Sequence, residues 1–196
     1  MNYFADHRLL LNMKKTKCMS VFPKDLSYLI VPTFFIHNSP VRTVKEQCYL
    51  GVLLNSAYTD DDDIKKEIRA VYARGNRLLQ NFRHCSDDVK GQLFKSYCTT
   101  FYCLSLWNNF TRTTMDDIRV SYNNVFRFFF KLPRRGSISY HFVTKDLPHF
   151  TYVRRTLCHS MFERVLSSRN RLICNLVDST FFVSSRVFKH WMDLLF

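Results

Sequence analysis

The sequence lacks the patterns that identify several common enzyme classes. Only four glycines occur in 196 residues, and none belongs to a P-loop, a dinucleotide-binding turn or a serine-hydrolase nucleophile turn. The seven cysteines include no C-x-x-C pair, which argues against a zinc site and favours reduced thiols. No apolar run approaches the roughly 18 residues of a membrane span, and the first residues show no signal-peptide cleavage site. We therefore expect an intracellular protein, nuclear or cytoplasmic, that does not insert into a membrane.

Acidic residues are also scarce. Lys and Arg outnumber Asp and Glu by 29 to 16, which gives a net charge of +13. Such an excess indicates a polyanionic partner, nucleic acid first and an anionic membrane surface second. A hydrophobic content of 46% and nineteen phenylalanines argue against disorder and predict helices packed through large rings.

The N-terminal part of the chain is predicted to form strands and turns. We expect a strand over Lys17–Phe22 and a hairpin over Pro32–Val44 that turns at its His-Asn-Ser-Pro run. Another strand is predicted over Gln47–Leu54, in which Gly51 indicates either close backbone approach or a bulge.

Beyond residue 55 the apolar residues recur with the period of a helix. Asp60–Asp63 open the first predicted helix, and Ser86 is the N-cap of the second. A capping box of Thr114 and Asp117 opens the third, which ends at Pro133. The predicted apolar stripes are Ile64, Ile68, Val71, Leu78 and Phe82, then Val89, Leu93, Tyr97, Phe101 and Leu104, then Ile118, Tyr122, Val125, Phe126 and Phe129.

The remaining chain is also predicted to be helical. A polar link over 134–139 precedes a helix over 152–177 and a short last helix over 187–195. The predicted fold class is therefore α+β: a small antiparallel β piece, then a mainly α-helical domain. The predicted domains are 1–55, 56–145 and a helical C-terminal extension, 146–196.

Two motifs in the β piece resemble the end of the palm in reverse transcriptases of non-LTR (LINE-type) retrotransposons. The first is LLLNMKKTKCMSVF (Leu9–Phe22), and the second, 25 residues later, is CYLGVLL (Cys48–Leu54). In that family an L-x-x-N-x-x-K-T-x-x-M segment closes the palm, and a Y-L-G segment forms the strand pair called the primer grip. The helices that follow resemble the thumb, so the resemblance covers about residues 1–145.

The resemblance implies a set of residues that bind an RNA/DNA primer-template. Lys15 matches the lysine thought to assist departure of pyrophosphate, and basic thumb helices would contact the phosphate backbone. The implied residues are Lys14, Lys15 and Lys17 on the palm, Tyr49, Leu50 and Gly51 in the primer grip, and Lys65, Lys66, Arg69, Arg74, Arg77, Arg134 and Arg135 on the thumb. A solvated turn, an ordinary core strand with one bulge and a solubilising helix face are the alternative interpretations.

The catalytic carboxylates of a reverse transcriptase are missing from the pattern. Such enzymes hold two metal ions about 4 Å apart, and this family uses an aromatic-Ala-Asp-Asp turn. Here the Phe-Ala-Asp run that ends at Asp6 continues with His7, and only eight residues separate Asp6 from Lys15. The helix dipole and N-capping account for Asp60–Asp63. We expect no metal site in this chain, since Mg²⁺ belongs to the full-length polymerase, and no nucleotide incorporation by the chain alone.

The resemblance thus implies a truncated RNA-directed DNA polymerase of a non-LTR retrotransposon that retains primer-template binding. The alternative is a non-enzymatic basic helical module that binds RNA or DNA and derives from such an element. A nonfunctional remnant of a gene is the third hypothesis.

Overall fold

The chain forms two compact units, Met1–Thr59 and Asp60–Phe196, which are described separately. The computed structural model describes residues 7–21, 32–36 and 38–195. Short strands occupy the first unit and helices the second. The predicted α+β class is confirmed at this level.

Three two-stranded ladders make up the described part of the first unit. They pair β1 (Lys17–Cys18) in parallel with β4 (Arg42–Thr43), β2 (Phe35–Ile36) antiparallel with β3 (Ser39–Pro40), and β5 (Glu46–Tyr49) antiparallel with β6 (Val52–Asn55). The prediction of a purely antiparallel β piece is therefore wrong for the first ladder. Its pairing joins segments more than twenty residues apart, which no local pattern reveals.

The single strand predicted over Gln47–Leu54 is wrong, because this segment is a hairpin. Leu50 and Gly51 lie between β5 and β6 with φ angles of 48° and 84°. Two consecutive positive φ angles are what a two-residue type I′ turn requires, and such turns match the twist of the flanking strands. Gly51 thus reverses the chain here instead of forming a bulge.

The two earlier strand predictions hold in part. The hairpin predicted within Pro32–Val44 is present as β2 and β3, where Ile36 pairs with Ser39 and Asn38 has a φ of 60°. His37 lies outside the described residues. The strand predicted over Lys17–Phe22 is paired only at its first two residues, and Phe22 lies outside the described residues.

The second unit is built from helices. Their bounds are α1 Asp61–Phe82, α2 Asp87–Cys98, a 3-10 turn Leu104–Leu106, α3 Arg112–Phe129, α4 Ser139–Thr144, α5 Phe150–Leu166, α6 Arg171–Val177, α7 Thr180–Ser184 and α8 Arg186–Leu195. The first and last predicted helices are confirmed. The single helix predicted over 152–177 is wrong, because the chain leaves the helix after Leu166 and restarts at Asn170, whose side chain caps α6 by accepting from the Leu172 N–H. None of the helices within the described ranges is both long enough and apolar enough to cross a membrane.

Helix α3 lies at the centre of the core. All five residues of its predicted stripe are buried, as the helical period requires. Its N-cap, however, is Thr111, whose hydroxyl accepts from the Thr114 N–H at 3.3 Å. The predicted capping box of Thr114 and Asp117 is therefore wrong by one turn. The helix ends at Phe129, ahead of Pro133.

Helix α2 buries a different face from the predicted one. Its buried residues are Lys90, Phe94 and Cys98, while Val89 and Tyr97 of the predicted stripe are exposed. The Phe94 ring decides the orientation, because it packs edge-on against the rings of Tyr122 and Phe126 at 5.3 Å. Such ring pairs stabilise beyond the area that they bury.

The C-terminal helices share the same core as α1 to α3. Trp191 of α8 is buried, and its indole N–H donates to the Ser105 carbonyl at 2.7 Å. The Tyr122 hydroxyl likewise donates to the Pro148 carbonyl at 2.6 Å. Residues 146–196 therefore form one body with the preceding helices.

Candidate nucleic-acid interface

Three of the five predicted cations of α1 are exposed, and the other two pair with buried carboxylates. Lys65, Arg69 and Arg77 are separated by four and eight residues, so they lie within about 120° of one another on one side of the helix. All three are exposed. Lys65 pairs with Asp62 at 3.4 Å, but both side chains are solvated, and an exposed pair of this kind contributes little. We call Lys65, Arg69 and Arg77 the α1 cationic face.

The other two cations of α1 neutralise buried carboxylates. Lys66 pairs with Asp63, which is only 2% exposed. Arg74 Nη2 lies 2.6 Å from Oε1 of Glu67, which is also buried. A buried carboxylate without a partner is costly, so these two cations are held by the fold.

The aspartates at the start of α1 bind a distant loop instead of capping their own helix. Asp60 accepts from the N–H groups of Asn108 and Asn109 at 2.8 and 2.7 Å. Asp63 accepts from the Trp107 indole N–H at 2.9 Å, and no side-chain cap closes α1. Burial raises the pKa of Asp60 in spite of its two N–H donors. The explanation of Asp60–Asp63 by dipole and capping is therefore incomplete.

A tight turn positions the first lysines of the other unit. Asn12 closes it, since its carbonyl accepts from the N–H groups of Lys15 and Thr16 at 3.0 and 2.9 Å. The Asn12 side chain also accepts from the Lys15 N–H. Lys14 and Lys15 are exposed on this turn, immediately before β1.

Lys17 has a basic neighbour that sequence patterns missed. It pairs with Arg42 in the parallel ladder of β1 and β4, and both residues are exposed. Like charges opposite each other on neighbouring strands are unfavourable, and a phosphate between them would remove that cost. Among the described residues of this unit Glu46 is the only acid, against the cations Arg8, Lys14, Lys15, Lys17, Arg42 and Lys45. Only the pairing with β1, which is nonlocal, reveals Arg42.

The remaining predicted residues lie at the tip of a hairpin and on a link between helices. Tyr49 ends β5, and Leu50 and Gly51 form the turn that follows, with Tyr49 and Leu50 63% and 74% exposed. Arg134 and Arg135 are exposed on the link after α3. The structure thus distributes the predicted residues over an exposed turn, a hairpin tip, a helix face and a link.

The cysteines do not gather into a metal site. In the part of the chain that the structure describes, no three His, Cys, Asp or Glu side chains are placed to hold one ion. Cys98 and Cys158 are buried. Burial raises the pKa of the Cys98 thiol to about 12 and that of Cys158 to about 11, so both stay protonated and unreactive at neutral pH.

Comparison with known proteins gave no relative: no family model, no curated protein and no solved structure matches this chain.

Proposed function

We propose that this chain binds the phosphate backbone of an RNA/DNA primer-template, as the palm end and thumb of a non-LTR retrotransposon reverse transcriptase. The α1 cationic face is the observation that supports this function best. It leaves three cations exposed on one face of a helix whose other cations are held by buried carboxylates. A polymerase must grip every sequence, so its contacts go to phosphates and not to bases.

The length of the α1 cationic face suits a nucleic-acid strand. Lys65 and Arg77 are twelve residues apart, which is about 18 Å along a helix axis. One strand of a duplex carries a phosphate about every 3.4 Å along its axis. The face therefore spans about five phosphates, enough for its three cations to bind separate groups.

The second basic surface of the proposal lies on the other unit. It comprises Lys14, Lys15 and Lys17 on the turn and on β1, where the resemblance places the primer end. Together with the α1 cationic face it supplies six exposed cations. Six neutralised phosphates predict a slope of about −5 in log K against log salt.

A salt titration tests this proposal. We expect alanine at Lys65, Arg69 and Arg77 together to reduce the magnitude of that slope by about 2.7, because three phosphate contacts are lost. Fluorescence anisotropy with a labelled RNA/DNA duplex between about 50 and 200 mM salt measures the slope. A triple alanine variant at the exposed residues Arg169, Arg171 and Arg186 is the control, since it removes the same charge elsewhere. An equal loss of slope in both variants would refute the assignment of the α1 cationic face.

A further inference from the structure

A cleft in the helical unit has the size and lining of a nucleotide site. Two adjoining cavities of about 360 and 450 Å³ lie between α2 and the segment from α4 to the start of α5. Lys95, Asp146 and Leu147 line both cavities. Ligand sites usually measure about 300–1,000 Å³, so the larger cavity alone accommodates a base with its sugar. We call this region the α2–α5 cleft.

The larger cavity offers a flat aromatic ring above an apolar floor. Phe142 and Leu147 are buried beneath it, while Tyr152 at its rim is 59% exposed. An exposed tyrosine beside an apolar surface is a platform on which a nucleobase stacks. The floor excludes water from one side of such a base.

Two oppositely charged side chains, Lys95 and Asp146, line the cleft. Among the described residues neither Lys95 nor Asp146 forms an ion pair, whereas the neighbouring Lys145 is paired with Asp87. Asp146 has a φ of 49°, held by the hydrogen bond from its N–H to the Val143 carbonyl at 3.1 Å. Asp146 directly follows the C-cap of α4, where a left-handed residue commonly ends a helix, and aspartate tolerates this conformation better than most residues. This backbone geometry keeps the Asp146 side chain at the border of both cavities.

His149 completes the polar lining. Its Nδ1 accepts from the Tyr152 N–H at 3.3 Å, as the cap of α5. The proton of the neutral ring is therefore assigned to Nε2, which is a donor. The α2–α5 cleft thus combines a cation, a carboxylate, a ring donor and a stacking surface.

We propose that the α2–α5 cleft binds a guanine nucleotide that is not base-paired. The base stacks on Tyr152, the Asp146 carboxylate accepts from its Watson–Crick edge, and Lys95 binds its phosphate. Guanine fits because its N1–H and N2 amino group are two adjacent donors, which match the two acceptor oxygens of a carboxylate. The other bases do not present two adjacent donors on this edge. This inference adds base recognition to the proposed backbone binding, and depends on that function only if the guanine belongs to a strand.

Two short labelled RNAs test the inference in the full chain, one of adenines only and one with a single central guanine. We expect the guanine RNA to bind about 10-fold more tightly. Asp146→Asn should abolish this ratio and retain the affinity for the adenine RNA, because asparagine tolerates a positive φ but replaces one acceptor oxygen by a donor. Equal affinity for the two RNAs in the wild-type chain, or an unchanged ratio in Asp146→Asn, would overturn guanine recognition by Asp146.

The stacking surface is tested separately. Tyr152→Ala should weaken binding of both RNAs by about 10-fold, while Tyr152→Phe retains the ring and the affinity. Tyr140→Ala is the matched control, since Tyr140 is 71% exposed and does not line the cleft. An equal loss in Tyr140→Ala, or none in Tyr152→Ala, would contradict stacking on Tyr152.

Calorimetric titration with GMP and AMP distinguishes the two sources of the base. Tighter binding of GMP than of AMP, with the difference lost in Asp146→Asn, assigns the site to a free nucleotide, even if neither RNA binds and the proposed backbone function fails. A guanine preference seen only with the RNAs assigns the site to an unpaired guanine in a strand. Equal binding of GMP and AMP together with equal binding of the two RNAs refutes the inference. Tight binding of the adenine RNA would in that case support backbone binding without base recognition.

Discussion

Replacing Asp63 by alanine is expected to lower the free energy of unfolding of the helical unit by about 2–3 kcal/mol. The Asp63 carboxylate is 2% exposed and contacts two partners from different parts of the unit. It pairs with Lys66 and accepts from the Trp107 indole N–H at 2.9 Å. Alanine would leave the buried N–H of Trp107, which is 1% exposed, without its acceptor, and an unsatisfied donor of this kind costs about 1–3 kcal/mol by itself.

Asp63→Asn is the matched control for this prediction. Asparagine keeps an oxygen for the Trp107 N–H but loses the charge that neutralises Lys66, so we expect roughly half of the alanine effect. Urea unfolding followed by far-ultraviolet circular dichroism measures both variants, through the midpoint at constant m value. A loss below about 1 kcal/mol in Asp63→Ala, the typical value for any substitution, would show that this contact does not hold the 107–111 loop to α1.

Gly75→Ala is expected to destabilise the helical unit by about 2 kcal/mol, although alanine is the better helix former. Gly75 is buried where α1 crosses α3, and a Cβ atom there would lie 2.5 Å from Cγ1 of Val125. Valine cannot move aside easily, because its branched side chain has one preferred rotamer in a helix. The two helices would have to separate, and the packing of α3 would loosen.

Gly91→Ala, at a second glycine within a helix, is expected to change stability in the opposite direction. Gly91 lies in α2, and apart from its chain neighbours and the nearby backbone of its own helix no atom lies within 4 Å of the position of its Cβ. Alanine should therefore stabilise the unit by up to about 1 kcal/mol. The Gly75→Ala, Val125→Ala double variant should lose less stability than the sum of the two single variants, because the second substitution removes the clash. Additive losses, or a stable Gly75→Ala variant, would contradict close contact of α1 and α3 at Gly75.

Local patterns predicted the helices better than the surfaces that they bury. The stripe on α3 was correct because five large apolar residues recur at one period without a competing face. On α2 the predicted stripe contained Val89 and Tyr97, yet Phe94 sets the buried face by packing against Tyr122 of another helix. A choice between two similar faces depends on the partner, which lies elsewhere in the sequence.

The candidate interface was predictable as a set of residue types but not as a surface. Helical spacing places Lys65 and Arg69 on one face, but it cannot show that Lys66 and Arg74 are held by buried carboxylates. Arg42 joins Lys17 only through a parallel ladder, which requires the tertiary fold.

Lysine acetylation footprinting of the full chain, with and without an RNA/DNA duplex, tests the account's main claim most directly. Lys65 and Lys189 are both exposed and lie on different helices of the same unit, so each reports on its own surface in one experiment. We predict that the duplex protects Lys65 together with Lys14, Lys15 and Lys17, and leaves the reactivity of Lys189 unchanged. Unchanged reactivity of Lys65, or equal protection of Lys189, would contradict binding through these basic surfaces.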